Sequence, residues 1–401
     1  MSNSESEMLQ SFKEEKERTV TKSVTVPSGW EPYAEFSDQI GEAIVRLPSP
    51  GATERDLLVA SGFDPDSWKI SGPINTRRWM RSDQEWLYYY KFNVEAGESD
   101  EVVQEHIDDL VAKIRKRGPV NKTTETSDDA FVFFASDWQI GKSEGAFGTE
   151  HTVERVLEGF DKAADRVREL RATGRAIPHG AIIGMGDIVE GCHGNYSNQP
   201  FLIDRNRRDQ NKLARELISY GIDKLSPLFK EFTVACVHGN HGEHRQDGKK
   251  VTDDADNDDT ATFEAVREAY ERAGHKFNWH IPDDEMSVAL TLGGVKIGLT
   301  HGHIFRKGST PQQKAVEWFK SADFGFQPVR GAQILFSAHF HHLLVTEVGP
   351  RTLIQCPAAD VGSKWYRDST GEDAPPGFLT VRLSSDEAMG YADLQVLRPS
   401  I

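Results

Sequence analysis

Five short polar motifs in the chain each follow an apolar run, and their residues are of the types that bind metal ions. The motifs occupy residues 136–139, 186–191, 239–243, 300–303 and 338–342. They combine carboxylates, amides and imidazoles without any thiolate, a ligand set that suits Mn, Fe or Zn, with Mg at the harder end. Each motif alone is weak evidence, because a lone Gly-Asp after a strand is usually a turn. The whole set predicts a site where the ends of strands meet at one sheet edge.

Short strands that alternate with helices must position these motifs. Apolar runs predict buried strands at 131–135, 181–185, 232–237, 295–300 and 333–338, and further strands at 343–348, 351–355, 378–383 and 391–397. Amphipathic stretches predict helices near 150–172, 205–225, 259–273 and 311–321. This alternation predicts an α/β domain with buried strands. The histidines support this division, since only His106 of the 14 histidines precedes residue 150.

The chain before residue 130 differs in composition and predicts a separate small domain. We expect a disordered tail over 1–25, a small α+β accessory domain over 26–118, a linker over 119–129 and the main domain over 130–401. Thr53 to Asp56 form a capping box that begins a short helix. Aromatic and β-branched runs at 77–81 and 85–94 predict a hairpin, and 99–117 predicts a helix.

Composition limits the class of protein. The chain has 401 residues, 37% of them hydrophobic, only three cysteines and a formal net charge of -16. No apolar run is long enough to span a bilayer and the polar start lacks a signal peptide, so we expect a cytoplasmic protein without membrane association. The acidity argues against binding along a broad duplex face, because proteins that do so are usually basic. It does not exclude a nuclease, because bound metals and a local basic patch can make the contact.

The order and residues of the five motifs resemble those of the calcineurin-like metallophosphoesterase family, which includes the Mre11 and SbcD nucleases and related phage-encoded enzymes. The resemblance covers roughly residues 130 to 370. It implies a four-layer sandwich, in which two mixed β-sheets are flanked by helices, and a centre of two divalent metal ions. Two metals close together can clamp the attacking and leaving oxygens of an in-line displacement. Manganese is the expected metal, with magnesium, iron or zinc as alternatives.

The resemblance also implies a role for individual residues. Asp187 matches the carboxylate that bridges the two metals and belongs to the catalytic centre. The other ligands fall into two groups, one for each metal: Asp137, Gln139 and His341 in the first, and Asn240, His301 and His339 in the second. His241 matches the catalytic histidine beside the scissile phosphate.

Two positions depart from the family pattern. Gln139 stands where histidine is usual, and Ala338 stands where glycine is usual. An amide oxygen is a harder, neutral ligand, so the first metal position should bind its ion more weakly and favour Mn or Mg over Zn. The alternative is that Gln139 is only a hydrogen-bonding neighbour of the ligands. The change at Ala338 is a small steric one and should be tolerated.

Candidate substrate contacts are less specific. Arg205 follows the bridging aspartate in a basic segment that could contact phosphates, although an exposed helix start explains it as well. His303 could contact substrate or only support the ligands. Trp365 could stack on a base, and a packing role is equally open. His238 lies inside an apolar run and is interpreted as a core residue.

Three functions are compatible with the sequence. The first is a phosphodiesterase or nuclease acting on DNA, for which an accessory domain is suited. The second is a phosphatase or cyclic-nucleotide phosphodiesterase for a small molecule, for which net acidity is no obstacle. The third is a non-catalytic metal-binding scaffold, which would have no need of His241. The expected partner is a phosphoester substrate, with DNA as a candidate, and the Mre11 relatives suggest a homodimer as a further expectation.

Overall fold

The structure is a computed structural model that describes residues 33–37, 40–47, 52–80, 86–96, 108–109, 111–112, 127–144, 147–246, 248–362, 368, 371 and 375–400. The chain divides into two compact units, residues 1–105 and residues 106–401. The predicted tail over 1–25 lies outside the described residues, as do most of the predicted helix over 99–117 and most of the predicted linker. The domain boundaries derived from the sequence therefore stay a prediction.

The first unit is an antiparallel sheet packed on one short helix. Its elements are β1 (Tyr33–Ser37), β2 (Ile40–Leu47), α1 (Glu54–Ala60), β3 (Trp68–Met80) and β4 (Trp86–Ala96). The strand order is β1-β2-β4-β3, and the predicted hairpin is confirmed as the β3–β4 pair. The predicted capping box is also present, because the Thr53 hydroxyl accepts from the Asp56 amide and the Asp56 carboxylate accepts from the Thr53 amide. Leu57, Phe92 and Val94 lie in the core between α1 and the sheet.

The second unit contains two larger sheets and a two-stranded ribbon. Its strands are β5 (Ala130–Ala135), β6 (His179–Gly184), β7 (Glu231–Cys236), β8 (Arg245–Gln246), β9 (Lys249–Lys250), β10 (Asn278–His280), β11 (Val288–Leu292), β12 (Val295–Leu299), β13 (Ile334–Ser337), β14 (Leu344–Val348), β15 (Arg351–Gln355), β16 (Phe378–Leu383) and β17 (Tyr391–Leu397). Its helices are α2 (Thr149–Ala172), α3 (Arg207–Leu225), α4 (Asp258–Arg272) and α5 (Pro311–Ala322). The strands and helices predicted for this part of the chain are thus confirmed.

Both larger sheets mix parallel and antiparallel pairs. One has the order β10-β7-β6-β5-β16-β17, in which β10, β7, β6 and β5 are parallel to one another. The other has the order β11-β12-β13-β15-β14, in which β12, β13 and β15 are parallel. A mixed α/β architecture is therefore confirmed, and the carboxyl ends of three parallel strands meet at one edge in each sheet.

The period of two along each strand decides which side chains pack where. In β5, Val132 and Phe134 face the other sheet and share one core with Phe336 of β13. The alternate residue Phe133 packs instead on Phe160 of α2, with ring centroids 4.5 Å apart. In the second sheet, Leu335 packs with Phe319 of α5. Strands buried on both faces explain why these runs are continuously apolar.

No helix in the described part of the chain is long and apolar enough to cross a membrane. The three cysteines, Cys192, Cys236 and Cys356, are free, and the last two are buried.

Candidate metal centre

The first sheet contributes three of the five motifs, each directly after a parallel strand. Asp137 follows β5, Asp187 follows β6, and Asn240 and His241 follow β7. Hydrogen bonds fix these loops to one another. The backbone amide of Asp137 donates to the Gly186 carbonyl, at 3.2 Å, and the amide of His241 donates to Asp187 Oδ1, at 2.8 Å.

The second sheet contributes the other two motifs at the facing edge. His301 follows β12, and His339 and His341 follow β13. His301 Nε2 lies 3.0 Å from Asp187 Oδ2, and the backbone amide of His339 lies 3.4 Å from Asp137 Oδ2. The predicted ligands of the two sheets therefore meet at the seam between them.

The backbone at these ligands is strained. Among the described residues, the non-glycine residues with positive φ are Asp137 (47°), Gln139 (46°), Asp187 (52°), Phe326 (54°), His339 (72°), His341 (62°) and Asp393 (53°). Most of them are predicted metal ligands. A left-handed backbone costs an L-residue about 1–2 kcal/mol and persists only where its surroundings fix it, as at functional sites.

The second group of predicted ligands forms a compact cluster. One donor atom from each of Asp187, His301 and His339 lies within 4.8 Å of the others. His301 Nδ1 lies 2.7 Å from the Met185 carbonyl oxygen, to which it must donate, so that a neutral ring presents the lone pair of Nε2. That lone pair faces Asp187 Oδ2 at 3.0 Å and Asn240 Oδ1 at 3.2 Å.

Three lone pairs that face each other repel unless a cation lies among them. A proton on His301 can serve as this cation. Burial opposes the protonation of His301, but the Asp187 carboxylate outweighs burial and raises the pKa of His301 to about 9. Burial and the charge of His301 lower the pKa of His339 to about 3, so this ring is neutral at pH 7 and its lone pair is available to a cation. Burial opposes ionisation of Asp187, but His301 and His241 outweigh it and hold its pKa well below the usual range. The donor set thus fits a divalent cation.

Asp137 and His341 form the nucleus of the first group. Asp137 Oδ1 is buried without a hydrogen-bond donor and lies 3.3 Å from His341 Nε2. Burial opposes ionisation of Asp137, but His341 outweighs it and lowers the pKa. The other ring nitrogen of His341 lies 3.7 Å from Asp360 Oδ2, and such a carboxylate behind an imidazole orients a metal ligand. An orphaned carboxylate oxygen opposite an imidazole also fits a cation.

The position of Gln139 is compatible with both of its predicted roles. Its Oε1 accepts a hydrogen bond from Lys142 Nζ at 3.1 Å, and its Nε2 lies 3.4 Å from His241 Nε2. The amide oxygen expected to bind metal is thus already engaged by an ammonium group. Both sequence interpretations of Gln139, as a ligand and as a neighbour of the ligands, remain predictions.

His241 lies beside the clusters and is fixed by a carboxylate. Its Nδ1 lies 2.9 Å from the Glu190 carbonyl oxygen and 3.0 Å from Glu190 Oε2. Tyr196 donates to Glu190 Oε1 at 2.6 Å, and Gln199 Nε2 donates to the same atom at 3.2 Å. Burial opposes protonation of His241, but the carboxylates of Glu190 and Asp187 raise its pKa to about 10. The other ring nitrogen, Nε2, lies 3.4 Å from Gln139 Nε2 and 4.0 Å from Asp187 Oδ2.

Asp259 at the start of α4 connects the loops of the first sheet. Its Oδ2 accepts from the amides of Asp187 and Gly239 at 2.8 and 3.1 Å, and its Oδ1 accepts from those of Ile188 and Val189 at 3.0 and 3.4 Å. Gly239 must be glycine here, because a Cβ would collide with the backbone nitrogen and the carboxylate of Asp187. Asp259, Glu190, Asp360 and Lys142 were not predicted as supporting residues from the sequence. Only Glu190, within the second motif, had a local signal.

The predicted substrate contacts have mixed outcomes. Arg205 is buried, and its Nη1 donates to the Asp204 carbonyl, while Nε and Nη2 have no hydrogen-bond partner among the described residues. His303 is part of the histidine cluster, with its ring centroid 5.4 Å from that of His301 and its Nε2 3.5 Å from Glu243 Oε1. Trp365 lies outside the described residues. His238 is buried, with Nε2 3.4 Å from the Pro282 carbonyl, as a core residue would be.

Comparison with known proteins gives only distant similarity. No family model matches the sequence, and no curated protein matches it. Among solved structures, Vps29 from Entamoeba histolytica complexed with zinc is 15% identical, with 63% of this chain and 84% of that chain covered and a TM-score of 0.29.

Two further structures are similar to the same extent. A predicted phosphoesterase from Streptococcus pneumoniae is 12% identical over 68% of this chain and 100% of its own, with a TM-score of 0.27. An archaeal phosphodiesterase is 12% identical over 67% of this chain and 99% of its own, with a TM-score of 0.31. These TM-scores are too low to transfer a family or an activity to this chain.

Proposed function

We propose that this protein is a metal-dependent phosphoester hydrolase of the calcineurin-like type, with a dinuclear centre, and that it acts as a phosphodiesterase on DNA. The observation behind the proposal is the convergence of two buried carboxylates, an amide and three imidazoles at one seam, next to a histidine outside the two ligand groups. In this proposal the Asp187 carboxylate would be a ligand of both ions. Asp137 and His341 would hold one ion, with Gln139 at its margin, and Asn240, His301 and His339 would hold the other. Manganese is the proposed metal.

Each residue has a task that follows from its contacts. When bound, divalent ions supply Lewis-acid polarisation of the phosphoryl oxygens and bring the attacking and leaving oxygens into line. His301 and His341 are oriented by the Met185 carbonyl and by Asp360, so that each presents Nε2 to the centre. Glu190 keeps a proton on Nδ1 of His241 and stabilises the imidazolium. The Nε2 proton of His241 is then available to the leaving oxygen.

DNA as the substrate is supported by the first unit and by the motif order shared with the Mre11 and SbcD nucleases. Arg46, Tyr89 and Arg77 form one cross-strand row on the face of the sheet opposite the core. Lys91 lies two residues further along β4 on the same face. Cations beside an aromatic ring can bind phosphates and stack on bases, although the protein as a whole is acidic. A buried guanidinium with unpaired donors at Arg205 would also suit a phosphate.

The test is a substrate panel with the manganese-loaded protein. A chromogenic phosphodiester, a phosphomonoester, single-stranded DNA and duplex DNA are compared, together with His241→Ala. We expect both the chromogenic diester and DNA to be cleaved, with the variant slower by about 10²- to 10³-fold. His280→Ala, an exposed histidine on β10, is the control and should keep full activity.

Three outcomes would change the proposal. Turnover of none of the substrates would refute hydrolysis and favour the scaffold. Turnover of small esters without DNA cleavage would refute the DNA assignment and favour the small-molecule alternative. Full activity of His241→Ala would refute the role of this histidine.

A further inference from the structure

Lys142 has its ammonium group in the interior, beside the first group of ligands. The side chain is only 10% exposed. Its Nζ donates to Asp360 Oδ2 at 2.5 Å, to Gln139 Oε1 at 3.1 Å and to the Gly362 carbonyl at 3.3 Å. An ammonium has three N–H donors, and each has an acceptor here, so its position is fixed.

Two of these acceptors belong to the surroundings of a single metal position. Gln139 Oε1 is the atom that would bind the first ion. This oxygen already accepts a hydrogen bond from Lys142, which makes it a weaker ligand. Asp360 is the carboxylate behind His341, at 3.7 Å from Nδ1, and the lysine neutralises it. An ion bound by Gln139 would therefore have a fixed positive charge on the far side of its own ligand, which weakens binding by like-charge repulsion.

Among the described residues, the second group of ligands has no lysine or arginine neighbour of this kind. The charged group beside it is His241, whose Nε2 lies 4.0 Å from Asp187 Oδ2 and whose Nδ1 is balanced by Glu190 Oε2 at 3.0 Å. In the described part of the chain, no lysine or arginine is hydrogen-bonded to Asp187, Asn240, His301 or His339. Their supporting contacts are the Met185 carbonyl on His301 and the amides that Asp259 arranges around Asp187. These contacts either leave the negative charge of the cluster intact or add to it, which favours a divalent cation.

We propose that the fixed positive charge of Lys142 makes the two metal positions unequal in their affinity for a divalent ion. The ion at Asp187, Asn240, His301 and His339 is bound tightly, whereas the ion at Asp137 and His341 is bound weakly and exchanges with solvent. A negatively charged phosphoester substrate offsets the lysine and favours occupation of the weak position. This inference rests on the proposed function, because it presupposes the two ligand groups. Lys142 acts through Gln139 and Asp360 and is a positioning residue.

The alternative is that Lys142 only anchors the loop that contains Asp360. The two roles differ in what removal of the charge does. A lost anchor would loosen His341 and weaken metal binding. A lost cation would leave Asp360 negative behind His341 and free the Gln139 oxygen, both of which strengthen binding at the first position.

The experiment is a Mn²⁺ titration of the whole protein by calorimetry, with electron paramagnetic resonance to distinguish single from coupled ions. We expect the wild type to bind one ion tightly and a second at least tenfold more weakly. Lys142→Met should tighten the weaker ion at least tenfold and change the tighter one less than twofold. Lys142→Arg keeps the charge and should resemble the wild type. Lys162→Met, which removes a surface ion pair with Glu158 on α2, is the control and should change nothing.

The double variant Lys142→Met with Asp360→Asn removes both charges and should tighten the weak ion less than Lys142→Met does. Two ions of equal affinity in the wild type, or an unchanged affinity ratio in Lys142→Met, would overturn the inference. If circular dichroism shows that Lys142→Met is unfolded, Lys142→Gln takes its place, because glutamine is neutral and can still donate to Asp360. The ratio of the two Mn²⁺ affinities is again the deciding measurement. A wild type that binds no Mn²⁺ refutes the proposed function itself, which is a different result from two equal ions.

Discussion

Replacement of Asp259 by asparagine should destabilise the protein strongly, although the two side chains have nearly the same shape. Asp259 is fully buried and accepts four backbone amides, two on each carboxylate oxygen. An asparagine has only one acceptor oxygen. In either orientation its NH₂ group would face two N–H donors, so two buried amides would lose their acceptor. The pairs at risk are Asp187 with Gly239, or Ile188 with Val189.

The contacts give the expected magnitude. A buried donor without an acceptor costs about 1–3 kcal/mol, so two of them cost about 2–6 kcal/mol. Much of a typical net stability of about 5–15 kcal/mol would be lost. Burial and the charge of Asp187 raise the pKa of Asp259 to about 7, so ionisation of this group costs the folded wild type part of its stability above that pH. At pH 8.5, where the carboxylate is ionised, the net loss in Asp259→Asn should therefore lie at the low end of the range of about 2–6 kcal/mol.

The assay is equilibrium urea unfolding followed by circular dichroism, with a chelator present so that metal binding does not contribute. Glu268→Gln is the matched control, since Glu268 lies on the same helix, is exposed and pairs with Arg272 at 2.8 Å. That change should cost less than about 0.5 kcal/mol. A free energy of unfolding for Asp259→Asn within 0.5 kcal/mol of the wild type would show that the four amides do not depend on this carboxylate.

Three further predictions concern the site and its frame. Glu190→Gln removes the charge that stabilises the His241 imidazolium, so turnover of a chromogenic diester should fall about 10- to 100-fold while circular dichroism stays unchanged; unaltered turnover would contradict the pairing. Arg382→Met should lower the free energy of unfolding by about 2–4 kcal/mol in urea, and a change under 1 kcal/mol would count against it. The reason is that this 2% exposed side chain pairs with three carboxylates, those of Asp129, Glu387 and Asp393. Chelation should lower the melting temperature and Mn²⁺ should restore it, whereas a chelator-insensitive melting curve would argue against an intrinsic metal.

The sequence predicted the elements of the second unit because each buried strand is a short, continuously apolar run. Five of these runs end at a polar motif, so in those five the strand end and its candidate ligand were found together. Asp137, Asp187 and His301 follow β5, β6 and β12 in this way. The period-two and period-3.6 patterns are local properties of the chain, and local patterns are what sequence reasoning detects well.

The supporting residues could not be predicted, because their partners are remote in sequence. Asp259 is one of several acidic residues at the start of a helix, where an acid is normally explained by the helix dipole. Lys142 and Asp360 are 218 residues apart, and neither belongs to a motif. The position of the Gln139 amide depends on that lysine, so its role could not be decided from the first motif alone. Strands β1, β2, β10 and β11 were also not predicted from the sequence.

The seam between the two sheets has a consequence for the order in which the centre can be assembled during synthesis. Asp137 and its imidazole partner His341 are about two hundred residues apart, and they belong to different sheets. While the ribosome is still translating the chain, the early carboxylates are exposed without their histidines and can bind an ion only feebly. The complete pair cannot exist until His341 has left the exit tunnel and β13 has joined its sheet. If the proposed centre binds metal, capture of the ion at this pair would therefore be a late event that requires both sheets to have formed.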